Sequence, residues 1–259
     1  MHLDVVELRS FYYTTQLGRM VQRMVRARLR EIWPDIHGHN LVGFGFAAPY
    51  LRPFMEEAAR TLCLMPAQQG VCPWPPEGPN VTALVEETLW PLPSGFADRL
   101  IVAHGLETCE RPAALFEEIW RVLAPGGKAI FLVPNRAGIW ARRDATPFGY
   151  GRPYSIGQLE KTLSGNKFTA ERHTAALYMP PSHRKFWLKA APAIERIGQR
   201  IDVQRLAGVV MVEATKLVYI APQAGSKIAA REPLRVLEGL RPAPKPKPAT
   251  GRSAARDAL

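Results

Sequence analysis

Short apolar segments alternate with helix-type segments through the middle of this 259-residue chain, and this alternation restricts the fold more than any other feature. LVGFGF at 41–46 and KAIFLVPN at 128–135 have the length and composition of buried strands, and a helix-type segment at 111–127 precedes the second of them. Strands that are separated by helices form a mainly parallel sheet with both faces covered. We therefore predict an α/β fold with seven mostly parallel strands flanked by helices.

The first predicted strand ends in two glycines that are one residue apart, Gly43 and Gly45. The small residue Ala47 follows, and PYLRPFMEEAARTL at 49–62 is predicted to be a helix. Glycine allows main chain to approach a ligand closely, and open parallel sheets bind ligands beyond the carboxyl ends of their strands. This turn therefore predicts a ligand site at the carboxyl edge of the sheet.

The sequence divides into three regions by composition. Residues 1–38 form an N-terminal region whose segment 9–32 is predicted to be one amphipathic helix. Residues 39–221 carry the alternating pattern, with a helical insertion at about 178–209. Residues 222–259 are basic and rich in proline, with too little apolar bulk to offset the entropy of ordering, so we expect a disordered tail.

The helical insertion combines aromatic and cationic residues. Phe186 and Trp187 stand beside Arg184, Lys185 and Lys189. An ordinary packed helix is our interpretation, and an interface helix that touches lipid or a partner is the alternative.

The formal net charge is +11, and the tail from Pro222 contributes eight Lys/Arg against three Asp/Glu. The excess elsewhere is modest, so we do not expect a nucleic-acid partner, whereas the tail could hold a protein or another anionic partner. Three cysteines without metal-ligand spacing indicate reduced thiols, and no metal site is predicted. No apolar run reaches the length of a membrane span and no secretory leader is visible, so we expect a cytoplasmic protein.

A longer motif places these pieces in a known context. The segment LPSGFADRLIVAHGLETCERPAALFEEIWRVLAPGGKAIFLVPN ends in a helix, a Pro-Gly-Gly stop and a strand. It resembles the central part of class I S-adenosylmethionine-dependent methyltransferases, particularly their type 11 group, over about residues 10–221. The resemblance implies a Rossmann-like fold, S-adenosylmethionine as cofactor and methyl transfer as the reaction. Within the signature, Glu118, Arg121 and Pro125 to Gly127 are interpreted as structural, because they stop the helix and turn the chain.

The resemblance also implies cofactor contacts. The glycine turn would lie beneath the methionine and ribose, the end of the second strand would meet the ribose, and an acid after the third strand would meet the adenine. An N-terminal aromatic residue would cap the cofactor. The residues at these positions are Gly43, Phe44, Gly45, Ala47, Met65, Gln68, Glu86, His104 and Tyr13.

The cofactor motif departs from the family pattern at two acidic positions. Leu41 stands where an acid usually opens the glycine motif, two residues before its first glycine. The second strand also ends without the acid that accepts hydrogen bonds from the ribose hydroxyls. A glutamine there would supply a neutral and weaker acceptor.

The resemblance predicts methyl transfer to an unidentified acceptor, for which we expect a small molecule. A general base is needed only where the acceptor loses a proton, and the candidates are His104, Glu107 and Tyr154. Two alternatives remain open at this point. One is a catalytically inactive binding or scaffold protein with the same fold, and the other is a methyltransferase that binds nucleic acid.

Overall fold

The computed structural model describes residues 3–142, 146–201 and 204–217. The chain divides into a unit at Met1–Val218 and a second unit at Tyr219–Leu259. The predicted tail at 222–259 therefore lies outside the described residues. Among the described helices, none combines the length and the apolar character needed to cross a membrane.

Seven strands form one sheet in the order β3-β2-β1-β4-β5-β7-β6, and only β7 runs antiparallel to its neighbours. This arrangement confirms the predicted α/β fold. The strands are β1 Asn40–Gly45, β2 Arg60–Pro66, β3 Thr82–Val85, β4 Ala97–Ala103, β5 Leu123–Pro134, β6 Phe168–Ala176 and β7 Val209–Lys216.

Within the described residues six α-helices cover the sheet, and each face has its own hydrophobic core. One core lies beneath α1, α2, α3 and α6, and the other lies beneath α4 and α5. The helices are α1 Val5–Arg9, α2 Gln16–Ile32, α3 Ala48–Leu51, α4 Pro112–Val122, α5 Ile156–Gly165 and α6 Lys185–Ile201.

The prediction of one helix over 9–32 is wrong in its first part. A π-helical turn at Ser10–Thr14 follows α1, and α2 begins after Thr15, whose Oγ1 accepts a hydrogen bond from Gly18 N at 2.9 Å. A Cβ on Gly18 would lie 1.9 Å from the Phe11 carbonyl oxygen. The π turn and α2 therefore pack too closely for any side chain at that position.

The predicted helix after the glycine turn is also much shorter than expected. It ends at Leu51, a 3-10 turn follows at Arg52–Phe54, and β2 begins at Arg60. Pro53 has no N–H to donate and disfavours the helical conformation at the residue before it. The proline therefore stops the helix, and the chain enters β2 earlier than its apolar periodicity indicates.

Glu118 and Arg121 of the signature make structural contacts, as interpreted from sequence, but Pro125 to Gly127 do not stop the helix, because α4 ends at Val122 and they lie within β5. Glu118 accepts hydrogen bonds from Trp90 N at 2.6 Å and from the Arg121 guanidinium at 2.7 and 2.8 Å. Arg121 also donates to the Leu92 carbonyl oxygen at 2.8 Å. Burial opposes ionisation of Glu118, but the bonds from Arg121 and Trp90 N outweigh it and hold its pKa below the ordinary value. The pair thus fastens α4 to the loop before β4.

Candidate functional site

The glycine turn at the end of β1 is packed against protein on both sides. Gly45 has a φ of +77°, and a Cβ there would lie 2.3 Å from the Ala103 carbonyl oxygen at the end of β4. A Cβ on Gly43 would lie 2.8 Å from the side chains of Ala47 and Leu51. In this conformation both glycines therefore make room for neighbouring main chain and for α3, and each residue from 41 to 51 is buried.

A buried row of polar side chains closes the space beside this turn. The Tyr12 hydroxyl lies 2.7 Å from the Tyr50 hydroxyl and 2.6 Å from His104 Nε2. His104 Nδ1 in turn lies 3.2 Å from Glu107 Oε1. Each of the four side chains is at most 2% exposed. The row links the N-terminal region, α3 and the turn after β4 through a single chain of contacts.

Burial dominates the electrostatics of this row. It raises the pKa of Tyr12 and of Tyr50 well above the usual tyrosine value, so both hydroxyls remain neutral hydrogen-bonding groups. Among the described residues, no donor makes a well-formed hydrogen bond to either carboxylate oxygen of Glu107. A buried carboxylate with so few donors is costly, and such groups concentrate at functional sites.

A direct hydrogen bond joins the turns that follow β2 and β4. Gln69 Nε2 donates to the His104 carbonyl oxygen at 2.8 Å, and Val5 N donates to the Gln69 carbonyl oxygen at 2.8 Å. Because β1 lies between β2 and β4 in the sheet, this contact spans the end of β1. His104 also has a φ of +51°, which is uncommon for a residue other than glycine.

Aromatic rings fill the rest of the edge. The ring of Tyr12 stacks on that of Phe46 with a centroid distance of 5.8 Å, and the His104 ring lies 5.0 Å from that of Phe148. Phe46 and Phe148 are almost wholly buried. The carboxyl edge of the sheet is therefore packed like a core in this conformation.

The structure gathers some of the predicted site residues and separates others. Gly43, Phe44, Gly45, Ala47, Met65 and His104 are buried at the carboxyl edge, and Glu107 joins His104 there. Tyr154 is half-buried, and the negative charge of Glu107 is one of the causes, after burial, that raise its pKa. Gln68 and Glu86 are exposed, and Glu86 pairs with Leu89 in an isolated bridge.

Two contacts that we did not predict come from the immediate neighbours of predicted residues. Gln69 is buried at the edge, whereas the predicted residue was Gln68. Glu87 is likewise buried, and its Oε2 lies 3.3 Å from the Glu110 N–H, whereas the predicted residue was Glu86. Each pair consists of two identical residues after a strand, so residue type could not tell which of them points inward.

A cavity of about 340 Å³ adjoins the closed edge. It lies between the N-terminal region, the glycine turn and the proline-rich loop after β2, and its volume lies within the range of small-molecule sites. Tyr13 lines it, and burial raises the pKa of this tyrosine to about 12 despite the nearby charge of Arg26. The lining residues are Arg9, Tyr13, Phe46, Ala48, Cys72, Pro73, Trp74 and Pro76.

The side chains at the edge do not leave space for the cofactor that the resemblance implies. An adenosyl group lying across the ends of β2, β1 and β4 would cross the contact from Gln69 to His104. It would also overlap the position of the Tyr12 and Phe46 rings, which are fully buried there. The residues as placed in this structure therefore do not fit S-adenosylmethionine along the edge of the sheet.

Comparison with known proteins finds a family match over part of the chain and a structural match over most of it. Residues 42–131 match the family model for a methyltransferase domain of the type 11 group. A sequence comparison with curated proteins gives no match.

Three solved structures of S-adenosylmethionine-dependent methyltransferases resemble this one. The enzyme from Mesorhizobium loti is 17% identical, with a TM-score of 0.50 over 73% of this chain and 95% of that chain. The one from Archaeoglobus fulgidus is 16% identical, with a TM-score of 0.51 over 75% and 94%. The one from Aquifex aeolicus is 12% identical, with a TM-score of 0.51 over 83% and 100%.

At these identities the structural likeness establishes the fold, and the family match locates the domain within it. Both comparisons support S-adenosylmethionine as the cofactor of this fold family. Residues 42–131 therefore match a type 11 methyltransferase domain, and the sheet has the fold of solved S-adenosylmethionine-dependent methyltransferases.

Proposed function

We propose that the protein is an S-adenosylmethionine-dependent methyltransferase for a small-molecule acceptor, and that the conformation described here is a closed one. The match of residues 42–131 to a methyltransferase domain carries the proposal. This segment includes most of β1, the glycine turn and the turn after β4, so it contains the edge at which the fold places its ligand.

Opening of the edge is part of the proposal, because the closed form has no space for the cofactor. Two of the closing groups, Tyr12 and Gln69, belong to segments outside the strands, and the bond from Val5 N to Gln69 ties these segments together. Movement of the N-terminal region with the turn after β2 would uncover the glycine turn without breaking the sheet. Segments of this kind are the usual source of such motion.

The predicted contacts are retained as proposals for the open form. Gly43, Phe44, Gly45, Ala47, Met65 and His104 lie at the edge that would be uncovered, and Tyr13 lines the adjoining cavity. Gln68 and Glu86 would have to turn inward to meet the cofactor, because both are exposed here.

His104 with Glu107 remains the first candidate for a general base. Their separation of 3.2 Å is short enough for the carboxylate to orient the imidazole ring. Tyr154 is the second candidate, although burial and the negative charge of Glu107 raise its pKa and disfavour the tyrosinate form. These roles apply only to an acceptor that must lose a proton.

The adjoining cavity supports a small-molecule acceptor. Its volume of about 340 Å³ and its aromatic lining suit an apolar or aromatic body, and Arg9 supplies a cation that would favour an anionic substituent. The three cysteines are free and buried, which supports the expectation of a reducing compartment such as the cytoplasm.

Calorimetric titration with S-adenosylhomocysteine tests the proposal. We expect weak binding to the natural protein and about tenfold tighter binding to Tyr12→Phe, because this variant removes two hydrogen bonds that hold the edge closed. Adenosine and methionine, titrated separately, are the control ligands. Thermal unfolding of Tyr12→Phe verifies that the variant is folded.

A second candidate function is favoured by the closed edge itself. The chain would then be a cofactor-free binding protein that keeps the fold, in which Tyr12, Phe46 and Gln69 permanently replace the cofactor. Absence of heat and of thermal stabilisation by S-adenosylhomocysteine or S-adenosylmethionine at millimolar concentration, in both proteins, would support this candidate and eliminate the methyltransferase.

A further inference from the structure

The outward face of α6 differs from the outward faces of ordinary surface helices. Its central row consists of the exposed cations Lys185, Lys189, Arg196 and Arg200, which recur at spacings of four, seven and four residues. An apolar row runs beside it through Phe186, Ala193 and Ile197. Phe186 is 70% exposed and Ile197 is 56% exposed.

The opposite face of α6 is fixed to the body of the domain. Ala191 is fully buried, and the Glu195 carboxylate accepts hydrogen bonds from Leu177 N at 3.2 Å and Tyr178 N at 3.0 Å. A Cβ on Gly198 would lie 2.3 Å from the Tyr178 ring. These contacts set the rotation of the helix about its axis, so the cationic and apolar rows are held facing outward.

Acidic residues are missing from the outward face. Glu195 is the one acid in α6, and it is only 6% exposed. The neighbouring helix α2 packs beside α6 and exposes Arg19 and Arg23, together with Glu31, which pairs with Arg28. Leu206, in the 3-10 turn that follows α6, is 60% exposed.

We propose that the outward face of α6 docks on an anionic lipid membrane surface, with the helix lying in the plane of the interface. Its apolar row would enter the boundary of the acyl chains, and its cations would meet the lipid phosphates. Charge complementarity selects an anionic leaflet, since the face carries positive charge alone.

The chemistry of the exposed side chains favours lipid over nucleic acid. A phosphate backbone would engage the lysines and arginines, and bases could stack on Phe186, but Ile197 and Leu206 have no planar surface for stacking. An acyl-chain boundary accepts aromatic and aliphatic side chains alike. This inference is independent of the proposed methyl transfer and requires no cofactor.

Cosedimentation of the full chain with lipid vesicles tests the proposal. We expect binding to phosphatidylcholine vesicles that contain phosphatidylglycerol, weaker binding as salt is raised, and little binding to phosphatidylcholine alone. The double variant Phe186→Ser with Ile197→Ser should lose about tenfold in affinity, because it removes the apolar contact and keeps every charge.

A matched control comes from two apolar residues of similar exposure elsewhere. Val6 is 68% exposed and Leu89 is 69% exposed, so Val6→Ser with Leu89→Ser makes an equal chemical change away from α6. This control should bind vesicles like the natural protein, and the unfolding midpoints of all three proteins should agree.

Three results would overturn the proposal. Equal binding by the α6 variant and the natural protein would assign any adsorption to other parts of the chain, such as its basic terminal residues. Equal binding to vesicles with and without phosphatidylglycerol would show that the cations of α6 do not drive the binding. Binding to single-stranded RNA that is lost in the α6 variant, without vesicle binding, would identify a nucleic acid as the partner.

Discussion

The carboxyl edge of the sheet and the outward face of α6 depart from normal burial in opposite directions. At the edge, polar side chains are sealed from water, and Glu107 is only 2% exposed. On α6, Phe186 is 70% exposed and stands among cations. A buried polar group and a cluster of exposed apolar groups are both informative, because folding alone favours the reverse.

The two regions also differ in the contacts that fix their conformation. The edge is closed by specific hydrogen bonds of Tyr12 and Gln69. It is also closed by glycines that allow neighbouring main chain to pack directly against them. The α6 face is presented by anchors on its other side, chiefly Glu195. Substitutions at the edge should therefore change the stability of the fold, whereas substitutions on the α6 face should change binding alone.

The largest effect should come from Gly45→Ala. Alanine at a φ of +77° is strained, and its Cβ would lie 2.3 Å from the Ala103 carbonyl oxygen, so we expect a loss of about 4 kcal/mol in the free energy of unfolding. Urea unfolding measures it. Gly157→Ala is the control, since no atom lies within 4 Å of the added Cβ, and alanine at this exposed helical position should stabilise the protein by at most about 1 kcal/mol. Similar losses in both variants would contradict the close packing of β1 on β4.

A smaller effect is expected from removing single hydroxyls at the edge. Tyr12→Phe leaves the Tyr50 hydroxyl and His104 Nε2 without their shared partner, which should cost about 2 kcal/mol of unfolding free energy. Tyr50→Phe should cost about 1 kcal/mol, because Tyr12 keeps its bond to His104. In urea unfolding the double variant should then show a coupling of about 1 kcal/mol. Strict additivity of the two losses would mean that the hydroxyls do not interact.

The smallest effect is expected on α6. Phe186→Ala should change the free energy of unfolding by less than about 0.5 kcal/mol, because its side chain is 70% exposed. Phe46→Ala, the same change at a fully buried ring of the edge, should cost about 3–5 kcal/mol. A large loss for Phe186→Ala in the same assay would show that this face is structural and would remove the contrast between the two regions.

The sheet could be predicted from sequence because its signals are local. The apolar run at 128–135 lies almost wholly within β5, although that strand begins earlier, at Leu123, and Ser155 caps α5 with Gln158 completing a capping box. The helix after the glycine turn was predicted too long, because periodicity continued past Pro53 although the backbone could not. A proline in the middle of a periodic segment therefore determines where the helix ends more strongly than the apolar pattern around it.

The closure of the edge could not be predicted, since it depends on contacts between residues far apart in sequence. Tyr12 meets His104 only because a π-helical turn places it over the sheet, and no propensity indicates that turn. The choice of Gln69 over Gln68 likewise depends on how one turn is folded. Residue types thus located the site, whereas tertiary contacts determined whether it is open.

The bond from Gln69 to the His104 carbonyl has a kinetic meaning for any ligand of this edge. A ligand that fits only the uncovered form must wait for that bond and its neighbours to break, so the entry rate follows the fraction of molecules in which they are broken. Each 1.4 kcal/mol that favours the sealed form lowers the apparent affinity about tenfold. A partner that draws the N-terminal region away would therefore raise the fraction of molecules that hold ligand at this edge, without contacting the ligand itself.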